Sequence, residues 1–565
     1  MTRNQKIILL SLVTLGAFLI FFRLGRQDML GDDAHYAFRA LGYFDYMASN
    51  TQTTPIQWFG HRPAWSFLGF HDHPFLYFFV QHIFFKIFGA SVIVSRLTSA
   101  LSAVVSLFVI YLLGKKLDNI KTGLLAVGAL ALNSYFIWTG RIGLLEMLMA
   151  MFLMLGLLFL LKGLREDSKH FLLSGLFFGL GLLTKYTILY ALPGILAYLI
   201  WKEWRVFLDK KFWAGILLFL IVASPIAIYN LSMYHARGHF DVQFGDLFQQ
   251  YHNDWSNLTH RVSTIGLNPM NEINILITGF SWPYYLIFIA SFFSSFYFAH
   301  KKKIYGAYLV LLTFLSLFMF FVLIGSASRW LGVMSPFAAL IIAYALSNFY
   351  DSFLNRSRTR YGFYGLGILV ALFCLFYTLN TNHLRRPLGG HELYASFRVE
   401  NYGYNQLDKE INGLLDRAIT TTQIQETARL WWYRDFDPKS IDFASMKEGT
   451  RDFRSLIVYD SNNLWFPTLW TFEKWKFYHR FTIMSSEEFL KILNSSNGAD
   501  VLNILGYDSV YLIQSGDAVK RTADVSFPQT DILVDNFRQQ GISPEKIIHD
   551  DSGREAFYIY RGSFK

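Results

Sequence analysis

The sequence predicts an α-helical polytopic membrane domain followed by a small extracytoplasmic mixed α/β domain, and three observations carry that reading. Of 565 residues 53% are hydrophobic, only 16% are charged, and Phe alone fills 56 positions. Few soluble folds can hide so much apolar surface. Apolar runs recur through residues 7–380, most of them near the ~20 residues that cross a bilayer, with short basic clusters between them. From about residue 385 onward charges become frequent and no apolar stretch is long enough to span.

Taken in order, the runs lie near 7–22, 92–113, 122–138, 143–161, 171–184, 187–201, 212–229, 272–299, 304–323, 330–349 and 362–380, which gives about eleven crossings. The first lacks a small-residue cleavage site and reads as a retained helix rather than a signal peptide. The two short runs around Lys185 could form one bent hairpin. Every second loop is basic. Arg3 and Lys6; Lys115, Lys116 and Lys121; Lys162, Arg165 and Lys169; Lys202, Arg205, Lys210 and Lys211; Lys301 to Lys303; and Arg356, Arg358 and Arg360 fall on one side. By the positive-inside rule that side is cytoplasmic. The parity holds only if the further apolar run 75–89 does not cross. It is therefore expected in the interface, or re-entering from outside, with Gln81, His82 and Lys86 on its wet face. Loops 24–91 and 230–271 and the C-terminal third are then expected outside, on a protein of the plasma membrane. The net charge of +10 belongs to these clusters, so no nucleic-acid partner is expected. One cysteine, Cys374, permits no internal disulfide.

The expected division is a membrane domain over 1–384 with a large first outer loop, 24–91, and a soluble domain over 385–565. In the latter, Ser455–Asp460, Ser509–Gln514 and Glu555–Tyr560 read as strands. Ser485 followed by Glu488 reads as a capping box opening a helix, and 528–540 as a second helix.

Polar groups beside the outer span ends carry the candidate chemistry, because ionisable residues at membrane depth are costly. Asp32-Asp33-Ala34-His35-Tyr36 follows the first span and His71-Asp72-His73-Pro74 precedes the interfacial run. Taken singly, the first reads as a helix cap and the second as a polar turn. Glu146, in Gly140-Arg141-Ile142-Gly143-Leu144-Leu145-Glu146, and Thr184-Lys185 sit at further outer ends. Arg141, Lys185 and Arg329 are lone basic residues of the short outer loops, where a cation often merely snorkels. His71, Asp72, His73 and Glu146 could alternatively hold a divalent metal such as zinc or manganese, although no regular ligand spacing occurs. Trp431-Trp432-Tyr433-Arg434-Asp435 superficially resembles the Trp-Trp-Asp signature of oligosaccharyltransferases but lacks the adjacent Asp and Gly. It reads as core or a sugar-stacking surface.

Across residues 1 to about 350 the ordered set resembles the GT-C membrane glycosyltransferases that use lipid-phosphate sugars, the superfamily of protein O-mannosyltransferases and the bacterial aminoarabinose transferase. Asp32, Asp33 and Tyr36 are similar to that family's Asp-acidic-x-x-Tyr pattern. Asp72-His73-Pro74 resembles its acidic-basic-Pro turn, and Phe88-Gly89-x-Ser91 with Arg96 the stretch typical after that turn. Leu145-Glu146-Met147 resembles its Leu-Asp-Pro, and Thr184-Lys185 its Thr-Lys. Glu at 146, Met at 147 and His at 73 depart from the usual pattern. The resemblance implies a GT-C-like fold of about 11–13 transmembrane helices and transfer of a sugar from a polyprenyl-monophosphate donor to a lipid, glycan or protein acceptor. Asp32 and Asp33 would be catalytic, with Asp32 the candidate base. His71, Asp72, His73, Arg141, Glu146, Lys185 and Arg329 would bind donor phosphate and substrate, with membrane lipids around them and no cofactor certain. The readings from another class are a flippase or transporter of lipid-linked sugars, or an inactive binding scaffold. A transporter predicts charges at the midplane and symmetric halves, whereas here the charges crowd the outer ends.

Overall fold

The computed structural model describes residues 1–41, 72–250, 269–324, 328–354, 360–384, 401–419, 455–479, 481–494, 507–516, 519 and 528–563. His71 and the Trp431–Asp435 motif lie outside these residues. The chain divides into two compact units, Met1–Leu24 with Tyr43–Val399, and Gly25–Gly42 with Glu400–Lys565.

The first unit is helical. Its helices are α1 (Arg3–Phe21), α3 (Leu76–Phe88), α4 (Val92–Leu117), α5 (Ile120–Ala131), α6 (Ser134–Arg141), α7 (Leu145–Arg165), α8 (His170–Thr184), α9 (Leu192–Lys202), α10 (Lys210–Arg237), α11 (Val242–Leu247), α12 (Pro269–Phe280), α13 (Trp282–Lys302), α14 (Gly306–Ile324), α15 (Leu331–Phe349) and α16 (Arg360–Asn382), with α2 (Asp32–Leu41) belonging to the second unit. Among the described residues eight helices are long and apolar enough to span, and α5 with α6, bent by 66°, makes up to nine. The shorter apolar helices His170–Thr184 and Tyr186–Lys202 coincide with the two short runs flanking Lys185.

Burial follows position in the bundle. In the window through α15, 94% of residues are buried, against 17% for α1 and for α16. The outward side chains of α16, such as Leu366, Ile368 and Leu369, are exposed and apolar, the surface of a helix that meets lipid. On α4 the buried face is a run of small residues, Ser95, Ser99, Ser102, Ala103 and Ser106, which lets neighbouring helices approach closely.

Three features differ from the sequence expectation. Residues 122–138, read as one span, are bent between α5 and α6. Residues 272–299 do not form one span: the chain breaks at Ser281, which adopts φ 74° between α12 and α13. On α3, Gln81 is not on a wet face. It is buried and donates from Nε2 to the Ser95 carbonyl at 2.6 Å. Lys86 is exposed and His82 half-buried, beside an exposed apolar stripe of Phe79, Ile83 and Ile87.

The second unit is built on a five-stranded mixed sheet in the order β2-β1-β3-β5-β4. Its strands are β1 (Ser455–Tyr459), β2 (Ile483–Ser485), β3 (Ser509–Ser515), β4 (Lys546–His549) and β5 (Glu555–Ser563). β1 runs parallel to β2 and β3, while β5 is antiparallel to β3 and β4. The three expected strands and both expected helices are present, Ser485 and Glu488 forming the capping box of the helix Ser486–Leu493. Strands β2 and β4, of three and four residues, are too short to stand out in the sequence. Gly25–Gly42 belongs to this unit because Asp28, fully buried, accepts from the backbone N–H groups of Tyr402, Tyr404 and Asn405 and so caps the helix Tyr404–Ile419 from a distance.

Candidate functional site

In the membrane unit the candidate residues are positioned from α3 and α4 upward. Tyr77 shares a 3.1 Å hydrogen bond with Ser99, and Ser99 donates to the Leu144 carbonyl at 2.9 Å. These contacts hold the connection Ile142–Leu144, so that Glu146 enters on the first turn of α7. Lys185 enters from the other side, where α8 ends and the backbone turns extended, φ −159° and ψ 134°. Its Nζ donates to Glu146 Oε1 at 2.5 Å. Both are almost wholly buried, at 6% and 2% exposure, so the charges are compensated by one another rather than by water. Arg329, on a single turn of 3-10 helix, lies close enough to act on the same carboxylate. Glu146 Oε2 accepts no hydrogen bond from any described residue.

Tyr186, the residue after Lys185, bonds a carboxylate that the sequence does not single out. Asp241 Oδ2 accepts from the Tyr186 hydroxyl at 2.6 Å and from Asn230 Nδ2 at 3.2 Å, and Oδ1 accepts from the Phe244 N–H at 2.9 Å. Burial pushes its carboxyl from 3.8 up to about 6, with the charge of Asp72 adding to the effect. Asp72 itself stands 3.8 Å from His73 Nε2. Two polar groups thus lie along the chain here, Lys185, Glu146 and Arg329 in one and Asp241, Tyr186 and Asp72 in the other, joined through the neighbouring positions Lys185 and Tyr186. The signal available in the sequence is weak: Asp241 follows Gly238-His239-Phe240 in a long polar loop with nothing to distinguish it.

Arg141 has a different set of neighbours. Its guanidinium donates to the carbonyls of Leu19, Ile20, Phe22 and Arg23 at 2.7–3.2 Å. It closes the C-terminal end of α1, whose last carbonyls have no partner within the helix. Arg96 does the same for the Leu24 carbonyl at 2.7 Å. Among the described residues no group of three or more His, Cys, Asp or Glu is placed to hold a metal ion.

In the second unit, Asp32 and Asp33 open α2. Asp33 is buried and its Oδ1 accepts from the Gly31 N–H at 3.2 Å. Asp32, one position earlier, is only partly buried. His35, on the next position but one, is buried with its ring 6.3 Å from that of Trp465.

Residues 72–229 match the family described as dolichyl-phosphate-mannose-protein mannosyltransferase. That segment contains Asp72, His73, Arg141, Glu146 and Lys185. No curated protein matches in sequence. Among solved structures, ArnT from Cupriavidus metallidurans bound to undecaprenyl phosphate aligns with a TM-score of 0.54 at 13% identity, over 99% of this chain and 98% of that one. The oligosaccharyltransferase AglB from Archaeoglobus fulgidus, in complex with an inhibitory peptide and a dolichol-phosphate, gives 0.52 at 14% identity, over 90% of this chain and 69% of that one. At such identities the likeness is one of fold. The family match thus lies over the Lys185–Glu146 pair, and the chain shares the fold of these membrane transferases, with eight helices among its described residues long and apolar enough to cross a membrane.

Proposed function

We propose that the protein transfers a sugar from a polyprenyl-monophosphate donor to a hydroxyl acceptor at the outer face of the membrane. The observation that carries this is the buried Lys185–Glu146 pair with Arg329 beside it, inside and next to the segment that matches the mannosyltransferase family. Two cations at that depth suit a lipid phosphate, because charge at membrane depth needs a partner. Glu146 Oε2, with no donor of its own among the described residues, suits a sugar hydroxyl.

In the reaction the acceptor oxygen bonds to the anomeric carbon as the bond from that carbon to the phosphate oxygen breaks. The phosphate leaves carrying the electron pair, and the acceptor proton passes to a carboxylate. Lys185 and Arg329 stabilise the leaving phosphate, and Asp32 takes the proton. Asp33, which already accepts from the Gly31 N–H, holds the start of α2. Arg141 acts at one remove, by fixing the end of α1.

The test is turnover and donor binding by purified protein with a defined polyprenyl-phosphate sugar. Asp32→Asn keeps the shape and loses the basicity. Turnover should fall about 100- to 10,000-fold while donor binding persists. Near-normal turnover would remove Asp32 as the base. Lys185→Ala alone would strand Glu146 at a cost of about 3–5 kcal/mol. The binding arm therefore pairs it with Glu146→Gln, and donor affinity that survives in the double variant would overturn the phosphate assignment.

A further inference from the structure

Helix α2 opens with Asp32, and the stretch just before it decides where that carboxylate stands. Residues 26–31 form no helix or strand and are half or wholly buried, so their backbone groups need partners from elsewhere in the fold. Residues 401–405 supply them. Asn405 Nδ2 donates to the carbonyls of Gly25, Arg26 and Gln27 at 3.1, 3.2 and 3.0 Å, and Asn401 Nδ2 donates to that of Arg26 at 3.0 Å.

The bonding also runs the other way. Asp28 Oδ2 accepts from the N–H groups of Tyr402 and Tyr404 at 2.6 and 3.3 Å, and Oδ1 accepts from that of Asn405 at 2.9 Å. Gly403 stands at φ 96°, a conformation that glycine adopts freely, and it turns the chain so that N–H groups on both sides converge on one carboxylate. The orphan N–H groups and the dipole of the helix Tyr404–Ile419 both favour a negative charge at that place. Arg26 extends the clasp: its Nε donates at 2.8 Å to Asp551, in the turn after β4, and Asp551 Oδ1 accepts from Gln406 Nε2 at 3.1 Å.

From Asp28 to Asp32 there are four residue steps, at most about 14 Å of extended chain. Beyond them α2 packs on the helical turns Trp465–Thr468, Leu469–Glu473 and Lys474–His479. A shift at Asp28 therefore reaches Asp32 with little chain to absorb it.

We propose that Asp28 and Asn405 are positioning residues, through which the C-terminal unit carries α2 and fixes the Asp32 carboxylate for proton transfer. This rests on Asp32 being the base. Lys185 and Glu146 belong to the first unit, so loosening the clasp should slow transfer without weakening donor binding.

The experiment uses the purified full-length protein and measures hydrogen exchange of the α2 amides, turnover at saturating polyprenyl-phosphate sugar, and donor affinity. Asn405→Ala removes three side-chain hydrogen bonds, and Asp28→Asn sets an amide N–H against backbone N–H groups. Each should raise α2 exchange about tenfold or more and lower turnover about 10- to 100-fold, with donor affinity unchanged. Asn405→Ala is the milder change and keeps the test decisive if Asp28→Asn does not fold. Val534→Ala is the control, since Val534 is fully buried in a separate apolar cluster with Leu456 and Leu512. It should lower the unfolding midpoint and leave α2 exchange and turnover as they are. Unaltered α2 exchange in the clasp variants, a matching loss of donor affinity, or an equal effect of Val534→Ala overturns the proposal. So does raised exchange with unaltered turnover while Asp32→Asn is inactive. Near-normal turnover in Asp32→Asn, with α2 exchange still raised in the clasp variants, overturns the base assignment and leaves the clasp as the anchor of α2.

Discussion

Asp241 is the residue whose chemistry departs furthest from what its place in the sequence implies. It occupies a polar loop, yet it is 2% exposed and its carboxyl titrates near 6 rather than 3.8 because burial outweighs three hydrogen bonds. A carboxyl whose folded value is raised favours the fold while protonated, and that contribution is lost as pH rises through the folded value. The difference between 3.8 and about 6 corresponds to something on the order of 3 kcal/mol. The unfolding midpoint should therefore rise as pH is lowered from about 7 to about 5, and this component should vanish in Asp241→Asn. Equal pH profiles for the two proteins would show that Asp241 is not perturbed. Lys185 and Glu146 are legible in the sequence because a charge at a span end is conspicuous. Asp241 and Asp28 are not, since a buried loop carboxylate looks like a solvated one until its partners are known. Charge alone also pairs Arg141 with the donor phosphate, whereas the guanidinium is occupied by four carbonyls.

Among the elements, the helices are legible by length and hydropathy, but their interruptions are not. Run 122–138 looks continuous by hydropathy, and in 272–299 the one mark of a break is Pro283, which suits the first turn of a new helix. Asn133 nevertheless breaks the first by capping a new helix through Phe136 N–H, and Ser281 breaks the second. Helix crossings depend on missing side chains that periodicity does not reveal. A Cβ on Gly175 of α8 would run into the Gly215 carbonyl of α10, and one on Gly215 would meet the Phe171 carbonyl. Neither neighbour is a flexible side chain that can move aside. Gly175→Leu should force the two helices apart and destabilise the protein by about 2 kcal/mol or more, as overpacking does. The check is a lowered midpoint of thermal unfolding in detergent, set against Leu173→Ala on the exposed face of α8, which should stay near the native value. If Gly175→Leu is equally tolerated, the close α8–α10 approach is wrong.

For the molecule as a whole, the sidedness inferred from charge can be set beside the placement of the loops. Lys116, Arg165 and Lys303 come from three different basic loops and line one pocket, so these loops occupy one end of the bundle. Glu146 and Lys185 come from loops of the alternate set and meet at the other end of α7. That end is expected to face outward, together with the C-terminal unit, because the basic end should be retained in the cytoplasm. A cysteine introduced at Asp167, in the basic loop after α7, should then resist a membrane-impermeant thiol reagent in intact cells and react once the membrane is permeabilised. A cysteine at Ser552, exposed in the turn between β4 and β5, should react in intact cells. The native Cys374 gives no background in either case, being 3% exposed and packed beside Ser281. Labelling at 167 with protection at 552 would invert the orientation and carry the proposed transfer reaction to the cytoplasmic face. Labelling at both would mean that an odd number of the assigned crossings is wrong, and the short helices flanking Lys185 would be the first to be reconsidered.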